Sequence, residues 1–165
     1  IIVSHGSKNS IYFNYESAHQ QELVSSDTVK LLDGKKIIAV CCGTARELGP
    51  SSEDYCKAYL GFYNKIHLDA VSGKTTPEYQ EIIMEIYQEV FLETFTETIN
   101  NSDKFNDLSF MLKRNLRRAC NEKIRLITNS DNPAVDEIQI SDLLFATNNL
   151  ASSIEIFGDG KERIS

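Results

Sequence analysis

The chain lacks several things that would assign it quickly. No apolar run approaches the roughly 18 residues a membrane-spanning helix needs, so a transmembrane segment is excluded on length. No pair of cysteines has CxxC spacing, which removes the common zinc and redox frameworks. No charged segment precedes the opening apolar run, so a secretory signal is not expected. Positive charge is short: 17 Lys and Arg stand against 24 Asp and Glu, a formal net charge of −7. That balance argues against direct nucleic-acid binding, which calls for a basic face, though a small local basic patch remains compatible with it. No repeat or low-complexity tract occurs.

What is present is ordinary for a globular protein: 165 residues, 41% apolar and 25% charged. This suggests a single domain, 1–165, with a real core. The first residue is Ile and the chain opens inside an expected strand, so the expectation is an excised domain of a larger protein, short of its first strands. The four cysteines, Cys41, Cys42, Cys56 and Cys120, read as reduced thiols in a cytoplasmic setting. Adjacent Cys41 and Cys42 cannot readily bridge without distorting the backbone.

The organising stretch is Lys35 to Gly49, KKIIAVCCGTARELG. Ile37 to Val40 is a β-branched apolar run of the kind that forms a strand buried on both faces of a parallel sheet. It ends in two cysteines and a glycine. An earlier run, Ile1 to Val3, reads as a buried strand ending in Ser4-His5-Gly6. Active crevices of open α/β sheets lie at the carboxyl ends of strands. Two neighbouring strands ending this way bring an imidazole and a thiol together, the arrangement for nucleophilic cysteine chemistry. His5 is the best-placed general base, because His19 lies in a polar stretch and His67 in a connection. Backbone N–H groups near Gly6 and at the nucleophile are candidates to hold an oxyanion. Against this, a buried cysteine is often only a small hydrophobe.

Elsewhere, Ser7 to Ser10 has turn chemistry and Ile11 to Phe13 reads as a strand or hairpin arm. Ser26 or Asp27 is expected to cap a short helix over 28–32. Gly43 to Asp54 reads as a loop broken at Pro50, and Ala58 to Tyr63 as the next strand, with Gly61 marking a close backbone approach. The strongest local signal is a long helix. Thr76 suits its cap, Pro77 its first position, and Tyr79, Ile82, Ile83, Ile86, Tyr87, Val90 and Phe91 form its apolar stripe. Glu78, Glu81, Glu85 and Glu89 read as its solvated face. A second helix begins near Asp103, with a stripe from Leu108 to Ala119 and basic residues Lys113, Arg114, Arg117 and Arg118 near its expected end. Ile124 to Ile127 is a strand candidate, 138–146 is ambiguous, and Ser153 to Phe157 reads as a strand entering a turn at Gly158-Asp159-Gly160.

Two motifs resemble a known group. Ser4-His5-Gly6 followed by Ile11-Tyr12 is similar to the Ser-His-Gly segment of caspases. IIAVCCGTA resembles the cysteine strand of CHAT-domain peptidases, where an apolar strand leads into small-Cys-x-Thr-Ala. Both belong to the caspase-like cysteine peptidases. The resemblance covers about residues 1–66. It implies a caspase-like αβα sandwich with a mostly parallel central sheet, to which the chain would add a helical pair after residue 76. It implies an endopeptidase with a His5/Cys42 dyad, an oxyanion hole from the Gly6 and Cys42 amides, and no cofactor or metal. Aligning on Cys-x-Thr-Ala selects Cys42, and aligning on the caspase Cys-x-Gly selects Cys41. Because consecutive strand residues face opposite ways, only one can meet His5; the first alignment is favoured, with Cys41 the alternative nucleophile.

In such peptidases the strand after the cysteine helps bind substrate, which points to Gly61, Phe62, Tyr63 and Asn64. Arg46, Glu47, Asp54 and Asp69 are candidates for reading the substrate side chain. The implied partners are a protein or peptide substrate and a regulatory domain or protein. The competing expectation is a caspase-like module that binds proteins without cutting them.

Overall fold

A computed structural model describes residues 1–14, 21–130 and 134–165. The chain forms β1 (Ile2–Val3), β2 (His5–Gly6), β3 (Ser10–Asn14), β4 (Gln21–Ser25), β5 (Lys36–Val40), α1 (Leu48–Ser52), β6 (Ala58–Phe62), α2 (Pro77–Asn100), α3 (Phe105–Thr128), α4 (Glu137–Ser152) and β7 (Ile154–Gly158). A mixed α/β architecture results. The main sheet has the order β1-β5-β6-β7, and β2-β3-β4 form a separate antiparallel ribbon. β1, β5 and β6 are parallel, and β7 returns antiparallel to β6.

Alternation along the central strands divides the core in two. Ile38, Val40, Leu60 and Phe62 face α2, α3 and α4. Ile37, Ala39, Cys41 and Tyr59 face the other way, toward Ile11, Val24, Val29 and Leu48. All five residues of β6 are buried, as expected of a strand covered on both sides. The second face is thus covered, among the described residues, by the β2–β4 ribbon, a 3-10 turn and short α1, and not by long helices as a full αβα sandwich would require.

α2 begins as its sequence dictates: Thr76 Oγ1 accepts the Tyr79 N–H at 3.2 Å and Pro77 takes the first position. It packs antiparallel to α3, with the Asn115 amide donating to Thr94 Oγ1 at 3.0 Å and Lys123 paired to Glu85. α4 is capped by Asp136, which accepts the Gln139 N–H at 2.8 Å.

Several expectations are corrected. The opening strand is not buried: it is the sheet's edge, with Ile1 60% and Val3 75% exposed. Neither Ser26 nor Asp27 caps the 3-10 turn over Val29–Leu32; Thr28 precedes it and its hydroxyl accepts the Ser25 N–H. Pro50 does not break the chain but sits in the first turn of α1, where its missing N–H costs no helical bond. Ile124 to Ile127 is not a strand but the end of α3. The Lys113 to Arg118 cluster therefore lies mid-helix, away from the carboxyl terminus. The 138–146 ambiguity resolves as helix.

Candidate active site

β1 and β5 pair with Ile2 opposite Ala39 and Val3 opposite Val40. The Ser4 N–H continues the ladder to the Val40 carbonyl at 3.4 Å. Beyond these pairs the strands end: His5 passes into β2, where it pairs with Tyr12, and Cys42 opens the turn after β5. Val3 and Val40, opposite each other in the parallel pair, share a face, and with Ser4, His5 and Cys42 they line one cleft of about 780 Å3. Cys41 is fully buried in the second core, its thiol directed at the Ile2 carbonyl at 4.0 Å. Burial pushes the Cys41 thiol up to about 11.

Cys42 is half-buried, and its Sγ accepts the Ile66 N–H at 3.3 Å, which fixes the sulfur against the wall of the cleft. The turn that follows is built from the chain's own residues. Gly43 adopts φ +70°, the left-handed region open to glycine. Its N–H is committed to the Asn64 carbonyl at 3.2 Å, and Ala45 N–H to that of Phe62 at 3.1 Å. The Thr44 hydroxyl donates to the Cys41 carbonyl at 3.3 Å. Cys42 is thereby held between β5 and a hydrogen-bonded turn.

Gly6 is where the two segments touch. A Cβ there would stand 2.7 Å from the Cys42 carbonyl oxygen and 2.8 Å from both Cys41 Cβ and Thr44 Cγ2. Only glycine allows β2 so close. Ser7 N–H bonds the Ser10 carbonyl at 2.8 Å, closing a two-residue loop at Lys8-Asn9. Alternation in the antiparallel ladder then makes Gly6 and Ile11 a non-hydrogen-bonded pair, which turns the Gly6 N–H away from β3.

Cys42 also borders a smaller hollow of about 290 Å3, with Gly6, Gly43, Lys8, Arg46 and Lys65. Arg46 lies over the Tyr63 ring, 5.1 Å from its centre, and its Nε donates to the Tyr63 carbonyl at 2.7 Å. Lys8 pairs with Glu47 at 2.8 Å. Asp69 is on the wall of the larger cleft and accepts from Gln80 at 3.0 Å. Exposed Asp54 borders neither hollow.

Two groups of expected residues fall elsewhere. Gly61 and Phe62 are inside the protein: Phe62 packs edge-on to Phe91 at 6.0 Å, and a Cβ on Gly61 would meet the Tyr59 ring at 2.8 Å. Tyr63 serves as the platform for Arg46, and Asn64 is tied to Asn149 at 2.7 Å. None of the four lines either hollow. A strand covered on both faces presents no side chains to a ligand, so this wall is supplied by the segment after it, Lys65 to Asp69. His67 packs edge-on to Phe145 at 6.1 Å, and burial, with Lys65 nearby, holds its pKa below the ordinary value. His19 lies outside the described residues.

Ile66, Lys65 and the α2 residues Phe91, Leu92 and Phe95 also line the cleft, and no sequence pattern singles them out for it. Leu92 is a large apolar residue off the buried stripe of α2, 71% exposed. The acidic stripe of α2 is exposed, and no group of three His, Cys, Asp or Glu suited to a metal occurs among the described residues. No helix among them is long and apolar enough to cross a membrane. No protein-family model, curated protein or solved structure matches this chain.

Proposed function

We propose that this chain is a cysteine endopeptidase domain of caspase-like fold, working in the cytoplasm under the control of a regulatory domain or partner. The observation that carries the reading is the cleft that His5 and Cys42 line together, with Cys41 buried away from it. His5 takes the proton from the Cys42 thiol, and the sulfur attacks the carbonyl carbon of the scissile peptide bond. The Gly6 and Cys42 N–H groups receive the negative oxygen that forms. As the C–N bond breaks, His5 returns the proton to the leaving amine. Water then hydrolyses the thioester, and the thiol is restored.

The test is hydrolysis of a peptide library by the wild-type chain and by Cys42→Ala, His5→Ala and Cys41→Ala. Loss of cleavage in the first two, with activity kept in the third, supports the dyad. Cleavage by Cys42→Ala rejects it. A folded protein that neither cleaves nor reacts with iodoacetamide at Cys42 favours a non-cutting interaction module.

A further inference from the structure

Away from Cys42, two hollows of about 440 and 200 Å3 lie along the seam of α2 and α3. They share Glu85, Lys123 and Leu126, so they form one groove. No residue of it borders either hollow at Cys42. Its apolar part is Ile82 and Ile86 of α2 with Ala119, Leu126 and Ile127 of α3. Leu126 is 65% exposed, so a large apolar side chain stands in water where the two hollows join. The rim is acidic. Glu78, Glu81, Glu85 and Glu89 follow α2 along it, and Glu122 stands on α3. Lys123 neutralises Glu85, and Arg118 reaches Glu122 at 3.9 Å. Among the described residues, Glu78, Glu81 and Glu89 have no ion pair. The α2 carboxylates form a row about 17 Å long at the helical rise. No three acidic groups are gathered closely enough for a metal among the described residues, so the row suits an extended polycation over a single ion.

We infer that this groove binds a basic amphipathic helix of a partner protein, with large apolar side chains against Leu126 and Lys or Arg side chains along Glu78, Glu81 and Glu89. Between two helices no sheet edge is open to a strand, so the occupant must satisfy its own backbone, as a helix does. A helix repeats one face every three or four residues, the interval of these glutamates, so a partner lying along α2 meets them in register. The net charge of −7 steers a cationic segment in and repels a second copy of this chain. The inference goes beyond the proposed chemistry and stands without it, because the groove holds none of the residues at Cys42.

Fluorescence anisotropy on the full chain tests this with designed helical peptides of about 18 residues, long enough to span the row. The first carries Lys at every fourth position beside a row of Leu. Gln replaces Lys in the second, Ala replaces Leu in the third, and the fourth has the first composition in scrambled order. The first should bind tightest, and less tightly as salt is raised. Loss of the Leu row should weaken binding about 10-fold. Glu81→Gln with Glu89→Gln should weaken it about 5-fold, and Leu126→Ser should remove the advantage of Leu over Ala. Glu93→Gln with Glu97→Gln makes the same charge change at exposed α2 positions outside the groove and should leave binding intact. Circular dichroism checks that each variant is folded. Equal effects of the two double variants, equal binding of the ordered and scrambled peptides, or no binding by any peptide overturns the inference. So does self-association of the chain that is lost in Glu81→Gln with Glu89→Gln, which gives the groove to a second copy. Cys42→Ala should bind the first peptide as the wild type does, so failure of the peptidase reading and failure of this inference are read separately.

Discussion

At Gly6 the smallest side chain in the protein meets the backbone of the residue proposed to act as nucleophile. Gly6→Ala forces its new methyl against the Cys42 carbonyl, Cys41 and Thr44. Overpacking of this kind costs about 1–3 kcal/mol. We expect a lower Tm and a disproportionate loss of peptide cleavage, because the contact that moves is the one aligning β2 with Cys42. Cysteine reactivity is decided at the same scale. Burial raises the thiol pKa of Cys41, Cys56 and Cys120, and all three are enclosed, while Cys42 opens on the cleft. Brief iodoacetamide treatment of the native protein at pH 8 should therefore add one carbamidomethyl group, which peptide mass mapping should find on Cys42. Labelling of Cys41 in its place would reverse the choice between the two.

Among the elements, the connection between β6 and α2 is anchored from α4. The buried Asp142 carboxylate accepts N–H bonds from Ser72 at 3.0 Å and Gly73 at 2.7 Å. Burial pushes its pKa up, but the bonds from Gly73 and Ser72 outweigh burial and hold it below the ordinary range. A depressed folded-state pKa means that the unfolded chain binds the proton first as pH falls. The stabilisation is therefore complete well above the ordinary value of about 3.9 and is lost as pH drops through the lower folded value. Asp142→Asn should cost about 1–3 kcal/mol at pH 7. The gap in Tm between variant and wild type should narrow below about pH 4; a constant gap from pH 7 to pH 2.5 would contradict this account. The start of α2 offers a simpler case: Thr76→Ala removes the cap on Tyr79 N–H and should cost about 1 kcal/mol in chemical denaturation.

For the whole molecule, stability and chemistry are separable because the main core lies on the helical side of the sheet. Leu112, fully buried on α3, contributes to that core and borders neither hollow. Leu112→Ala should cost about 2–5 kcal/mol while the protein that remains folded keeps its rate of Cys42 labelling. A fall in that rate beyond the folded fraction would show that the core and the cleft are mechanically coupled. The arrangement also explains why a mixed sheet suits this chain. β5 and β6 need cover on both faces, and two unlike layers supply it.

Local patterns made much of this legible in advance. The β-branched run of β5, the Thr76-Pro77 entry to α2 and its apolar stripe are short-range features, set by neighbours within a turn or two of one another. Alternation within Val40-Cys41-Cys42 likewise required the two thiols to face opposite ways before any fold was known. Other outcomes depended on groups far apart in the chain. Only the pairing of β1 with β5 brought His5 and Cys42 to one cleft and placed β1 at the edge of the described sheet. Only the packing of β6 between two layers withdrew Gly61 and Phe62 from the site and brought Lys65 and Ile66 to it. The end of α3 has the same cause: Ile124 to Ile127 is apolar enough for a strand, and its continuation as helix is fixed by packing against α2, which no local window contains.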